Sequence, residues 1–128
     1  MTTPGDTGDL FSPDCPTRQL LDRIGDKWTS MLIKLLAESG SEGARFSELR
    51  RAATGISQKM LSQTLQRLAA DGLVDREVEP TVPPAVHYRL TELGYSLEAS
   101  LAVVRTWAEG HMREIDDFRR GSALSPST

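Results

Sequence analysis

The chain has little of what enzymes and secreted scaffolds require. One cysteine among 128 residues excludes an internal disulfide framework and fits a reducing compartment. The two histidines, His87 and His111, are widely separated and with Cys15 give no metal-ligand spacing, so neither a metal site nor a cofactor is expected. There is no Walker loop, nucleophile elbow, HExxH or Rossmann glycine set. No catalytic residue is assigned, and an enzyme is not expected. No apolar run reaches the roughly 18 residues that would read as a membrane span. Residues 1–14 hold three acids, no base and no apolar core, unlike a signal peptide, and a cytoplasmic protein is expected. Aromatic residues make up only 5%, which marks Trp28 and Trp107 as anchors of a core or an interface.

The charge that is present is unevenly spread. Net charge is −3, yet residues 45–76 carry six bases (Arg45, Arg50, Arg51, Lys59, Arg67, Arg76) against three acids. Both ends of the chain are acidic, so the middle third is a basic island. A polyanion responds to the local field, and the acidic total is therefore no veto on a nucleic-acid partner. Ordinary charge scatter on a solvated surface is the competing explanation.

Residues 1–14 and 119–128 read as disordered tails from their Pro, Gly, Ser and Thr content. Between them, Pro16 suits the first turn of a helix. Leu20, Leu21, Ile24, Trp28, Met31, Leu32, Leu35 and Leu36 recur at helical spacing, interrupted by Gly25-Asp26, where Asp26 can cap a second helix. A loop at 39–43 leads to a short helix with Ser47 as its expected cap. Ser57 caps the next helix, which Gly72 ends, with Ile56 and Leu61 placed for a hydrophobic staple. Leu73–Glu79 and Ala85–Thr91 read as strands joined by a proline-rich tip, and Thr91 caps a long helix from about Glu92 to Phe118. This is the element order of a winged helix-turn-helix domain, although order alone also allows an unrelated α+β module. The expected fold class is mainly α with a β-hairpin wing, with the winged helix-turn-helix domain at 15–92 and a long C-terminal dimerisation helix at 93–118.

The helix at 57–71 carries the most specific signal. On a wheel, Met60, Thr64, Leu68, Leu61 and Leu65 occupy an arc of about 140°, while Ser62, Gln66, Lys59, Gln63 and Arg67 fall between about 200° and 340°. The second face holds amides, a hydroxyl and two bases without any acid, whereas a solvated face usually mixes Glu with Lys. These side chains suit base edges and phosphates: Gln for adenine, Arg or Lys for guanine, Ser for either. Ser57, Gln58 and Lys59 lie in the first turn, where unpaired N–H groups favour a phosphate, and Arg50 and Arg51 precede them.

Cys15-Pro16, IGDKWTSMLIKLL (Ile24 to Leu36), RFSELRRA (Arg45 to Ala52), GISQKMLSQTLQRLAADGLV (Gly55 to Val74), VPP (Val82 to Pro84) and YRLTELG (Tyr88 to Gly94) resemble the HxlR-type winged helix-turn-helix regulators. The likeness runs from about Cys15 to Met112 and is specific because separate motifs fall in the same order. It implies a bacterial, homodimeric transcription factor bound to double-stranded operator DNA, with 57–71 in the major groove. Its wing, 79–86, would follow the neighbouring minor groove or backbone, adding Thr81 and His87 to the expected contacts. Ala85 stands where relatives often carry a base, and His87 where an acid is common.

Leu97, Leu101, Val104, Ala108, His111, Ile115 and Phe118 are separated by 4, 3, 4, 3, 4 and 3 residues, an a/d-type stripe suited to a partner helix or to packing on its own domain. Cys15 has two readings, a small buried hydrophobe or a thiol responsive to an oxidant or electrophile, as the resemblance implies for some relatives. The alternative function is a winged-helix module that binds protein instead of specific DNA.

Overall fold

The structure, a computed structural model, describes residues 9–124; residues 1–8 and 125–128 of the two expected tails lie outside the described residues. These fall into two compact units divided between Glu98 and Ala99.

In the first unit, α1 (Pro16–Ile24) starts with proline at its first position, where the missing N–H is no loss. The Asp26 carboxylate accepts from the Trp28 N–H at 3.3 Å and so caps α2 (Lys27–Ser39). A 3₁₀ turn at Gly40–Glu42 leads into β1 (Ala44–Arg45), then α3 (Phe46–Ala52), α4 (Gln58–Ala70), β2 (Val74–Glu79) and β3 (Ala85–Leu90). Gly72, at φ 76°, supplies the left-handed residue that ends α4. The strands form an antiparallel sheet in the order β1-β3-β2, with Ala44 opposite Tyr88 and Arg76 also opposite Tyr88 from the other side. Leu32, Ile33 and Leu36 of α2, Leu49 of α3, and Leu61, Leu65 and Leu68 of α4 are buried together with Val74, Tyr88 and Leu90 of the sheet. This core holds the outer face of α4 outward.

The long helix α5 (Glu92–Leu124) begins in the first unit and continues through the second. Thr91 builds its start, its hydroxyl accepting from the Gly94 N–H at 3.0 Å and donating to the Gly72 carbonyl at 2.7 Å.

Four differences from the sequence reading have local causes. The cap of α3 is at Arg45 instead of Ser47: pairing with β3 keeps the chain extended up to Phe46, and Glu48 folds back to accept from the Arg45 N–H at 2.9 Å. The strand β1 was not expected, because two residues are too few to display a period. Residues 119–124, assigned to the C-terminal tail, continue α5, where Arg119 and Arg120 pair with Asp116 and Asp117 one turn earlier. At the other end, residues 9–14 are not free tail but turns laid against α1: the Ser12 N–H donates to the Asp9 carbonyl at 2.9 Å and Arg18 to the Phe11 carbonyl at 2.9 Å.

Candidate nucleic-acid interface

The helix-turn-helix is built from α3, the turn at 53–57 and α4. Ile56 and Leu61 are both buried, as a staple requires, and the Ser57 hydroxyl accepts from the Met60 N–H at 3.0 Å. The two faces of α4 divide as the wheel requires. Leu61, Thr64, Leu65 and Leu68 are buried; Met60 is half-buried. Gln58, Lys59, Gln63, Gln66 and Arg67 are exposed and Ser62 is half-buried on the opposite side. The Thr64 hydroxyl donates to its own helix, to the Met60 carbonyl at 2.7 Å, and receives Arg67 Nη2 at 3.4 Å, which steadies the guanidinium on the outer face. Arg50 and Arg51 are exposed on α3, and Arg50 Nη1 donates to Gln58 Oε1 at 3.4 Å, so a base from α3 is brought to the first turn of α4.

The wing sheet has two chemically different faces. Residues directly opposite across antiparallel strands share a face. Asp75, Glu77 and Glu79 of β2 therefore lie with Arg89 and His87 of β3 and Arg45 of β1, and they pair diagonally: Arg89 Nη2 to Glu77 Oε2 at 2.5 Å and His87 Nε2 to Glu79 Oε1 at 2.9 Å. The other face carries Val74, Arg76 and Val78 with Val86, Tyr88 and Leu90. It is the side turned to α4, where Arg76 and Tyr88 line a groove of about 270 Å³ with Ser62, Leu65, Gln66 and Ala69.

The predicted contacts are thus only partly assembled. Arg50, Ser57, Gln58, Lys59, Ser62, Gln63, Gln66 and Arg67 form one surface, with Arg51 exposed on the adjoining α3. Thr81 is exposed at the hairpin tip, its hydroxyl donating to the Pro83 carbonyl at 2.8 Å, beside a cleft of about 530 Å³ that it shares with Arg45. His87 is not brought to α4; it belongs to the opposite, acid-bearing face. Arg45 and Arg76 were absent from the predicted set. The alternation Val74-Arg76-Val78, with Tyr88 as the cross-strand partner, was the available signal for Arg76.

Two further features flank α1. Cys15 is buried, 3% exposed, at the residue preceding α1, with its N–H donating to the Ser12 carbonyl at 3.1 Å. At the far end of α1, Arg23 binds both carboxylate oxygens of Asp71 at 2.5 and 2.6 Å, which raises the arginine above its ordinary pKa and ties α1 to the end of α4. A raised arginine value favours the fold below the ordinary value, and that advantage is lost only as pH climbs through the strongly alkaline range.

Along α5, Leu97, Leu101, Ala108 and Ile115 of the predicted stripe are half-buried, whereas Val104, His111 and Phe118 are exposed. Val103 and Trp107, outside that stripe, are 70% and 56% exposed, and with Val104 (61%) and Phe118 (74%) they fill an arc of about 100°. Trp107 stacks on His111 with ring centroids 4.5 Å apart. His111 Nδ1 lies 2.7 Å from the Trp107 carbonyl, so Nδ1 carries the proton and donates. Among the described residues no helix is long and apolar enough to cross a membrane, and no cluster of potential metal ligands occurs.

Known proteins with this architecture agree closely. The "uncharacterized HTH-type transcriptional regulator YtfH" of Escherichia coli is 39% identical over 108 residues, covering 84% of this chain and 83% of its own. The structure of YtfH from Salmonella typhimurium, named as a transcriptional regulator, superposes with a TM-score of 0.78 at 37% identity, over 88% of this chain and 98% of that one. The redox regulator HypR in its reduced form gives a TM-score of 0.70 at 39% identity, over 80% and 98% of the two chains. Residues 23–116 match the HxlR-like helix-turn-helix family, and the chain belongs to it.

Proposed function

We propose that this chain is a homodimeric, sequence-specific DNA-binding transcriptional regulator of the cytoplasm. Helix α4 enters the major groove, and the β2–β3 hairpin follows the flanking backbone or minor groove. One observation carries this reading: the outer face of α4 is exposed, steadied from behind by a buried core, and free of acids over its 13 residues. A duplex offers that face acceptors, donors and phosphates in one place. Two copies would double the basic surface, and the exposed apolar strip around Trp107 supports pairing through α5.

Redox or electrophile control through Cys15 belongs to the same proposal. It is supported by the position of the sole cysteine beside a helix N-terminus and by similarity to HypR, a redox regulator. With one cysteine per chain, an oxidised form would be a bridge between the Cys15 residues of two copies, a mixed disulfide or an adduct. Burial predicts that modification waits on a local opening that exposes the thiol.

A mobility-shift titration on the DNA upstream of the protein's own coding sequence tests this function, at several salt concentrations, with and without diamide. Specific binding that weakens steeply with salt is the expected result. Salt-insensitive or absent binding would favour a protein partner for α4. Unchanged release by oxidant in Cys15→Ser would remove the thiol from the mechanism.

A further inference from the structure

The wing hairpin carries an arginine on each face, Arg76 on β2 and Arg89 on β3, and their surroundings differ. Arg89 is engaged within the chain, with Glu77 at 2.5 Å and the Ser41 carbonyl at 3.3 Å. Arg76 is exposed and has neither a hydrogen bond nor an ion pair among the described residues. The strand register puts all three acids of β2 on the side of Arg89 and leaves Arg76 as the one charge on the side turned to α4. There it shares the groove with Ser62 and Gln66, which belong to the acid-free face of the helix. Beyond it on the same strand face, Val78 is 49% exposed, so the strip leading from α4 onto the wing is apolar and singly positive.

We propose that Arg76 is a further DNA contact, a clamp on the phosphate backbone where it passes between α4 and the wing. The inference rests on α4 being the DNA-reading helix. With that helix in the major groove and the hairpin beside it, the intervening sugar-phosphate strand crosses the seam between them, and Arg76 is the charge in that seam. A guanidinium suits this task because its planar fork meets two phosphate oxygens at once, without regard to base identity. Arg76 stands opposite the buried Tyr88, which restricts where the β2 strand can carry it. Its role is therefore grip and register, whereas sequence reading belongs to Gln63, Gln66 and Arg67.

The test uses the full chain, a duplex tiled from its own upstream DNA and an unrelated duplex of equal length, each titrated at four or more salt concentrations. Arg76→Gln is expected to weaken binding about tenfold on both duplexes. The slope of log affinity against log salt is expected to fall by about 0.9 per bound protomer. Arg76→Lys should recover most of the slope, since the charge remains, and Arg89→Gln should leave it unchanged. Thermal melts of all three variants check folding. Wild-type affinity and slope in Arg76→Gln would overturn the clamp, and so would a loss confined to the upstream duplex, which indicates base reading. If the wild-type chain itself binds neither duplex, the assignment of α4 falls and the clamp with it; steep wild-type binding with an inert Arg76→Gln rejects the clamp alone.

Discussion

Helix α4 and the part of α5 beyond Glu98 are both amphipathic, but their unpartnered faces have opposite chemistry. In α4 the apolar side is sealed into its own unit, with Leu61, Leu65 and Leu68 all at or below 3% exposure, and the amides and bases remain outside. In α5 it is the apolar side that remains outside, with Val103, Val104, Trp107 and Phe118 each more than half exposed. Exposed polar groups are already satisfied by water and gain from a ligand only through specific geometry. Exposed apolar area gains simply by leaving water, at roughly 25 cal/mol per Å². Under the proposed function the first face would serve as the reader and the second as the adhesive that places two readers on one duplex.

Substitutions on the two sealed or unsealed apolar faces break this contrast most directly. Leu65→Ala truncates a buried side chain and is expected to destabilise the fold by about 2–5 kcal/mol, read from denaturant unfolding. Should that variant unfold near the wild-type midpoint, α4 would not be part of the core. Trp107→Ala, in contrast, is expected to spare the unfolding of the first unit and to weaken self-association by about 2 kcal/mol or more, the scale of an interface hot spot. Sedimentation over a concentration series measures the shift. A wild-type chain that stays single at micromolar concentration, or a mutant that dimerises equally well, would leave the α5 strip without its second copy.

The polar face responds on a smaller scale. Arg67→Ala and Lys59→Ala are each expected to weaken operator binding by about 1–3 kcal/mol if they meet base edges, with little change in melting temperature because both side chains are exposed. A base-reading residue reveals itself by relaxed preference among operator variants. Equal loss on every duplex would instead make it a phosphate contact.

Much of this was legible in the sequence because the determinants are local. Asp26, Ser57, Gly72 and Thr91 mark helix ends through bonds spanning only a few residues, and the two faces of α4 follow from the 3.6-residue period alone. What stayed hidden depends on partners distant in the chain. Ala44 and Arg45 become a strand only because β3 lies alongside, and Arg76 gains meaning only from a register that pairs it with Tyr88. Adjacency to the wing at 79–86 groups His87 with the expected DNA contacts, but strand parity sends it to the side of Glu79. On α5 the seven-residue count picks out a stripe that shares Val104 and Phe118 with the exposed apolar arc but leaves out Val103 and Trp107, since spacing does not reveal which part of an apolar arc is left uncovered.

The finest separation of reader from scaffold lies at Ser57, which serves both. Its hydroxyl satisfies the Met60 N–H, and as the N-cap it stands exposed at the N-terminus of α4. Ser57→Ala removes the cap and is expected to lower stability by about 1 kcal/mol, the usual scale for such a loss. Ser57→Asp keeps an acceptor for that N–H and adds a negative charge that the helix N-terminus favours, so its stability should equal or exceed that of the wild type. The same charge repels a phosphate approaching α4. Thermal melts and DNA titrations on the pair should therefore move in opposite directions: Ser57→Ala loses stability and keeps most of its binding, while Ser57→Asp keeps its stability and loses binding, most sharply at low salt. A Ser57→Asp variant that binds DNA as tightly as the wild type at low salt would place the first turn of α4 away from the backbone.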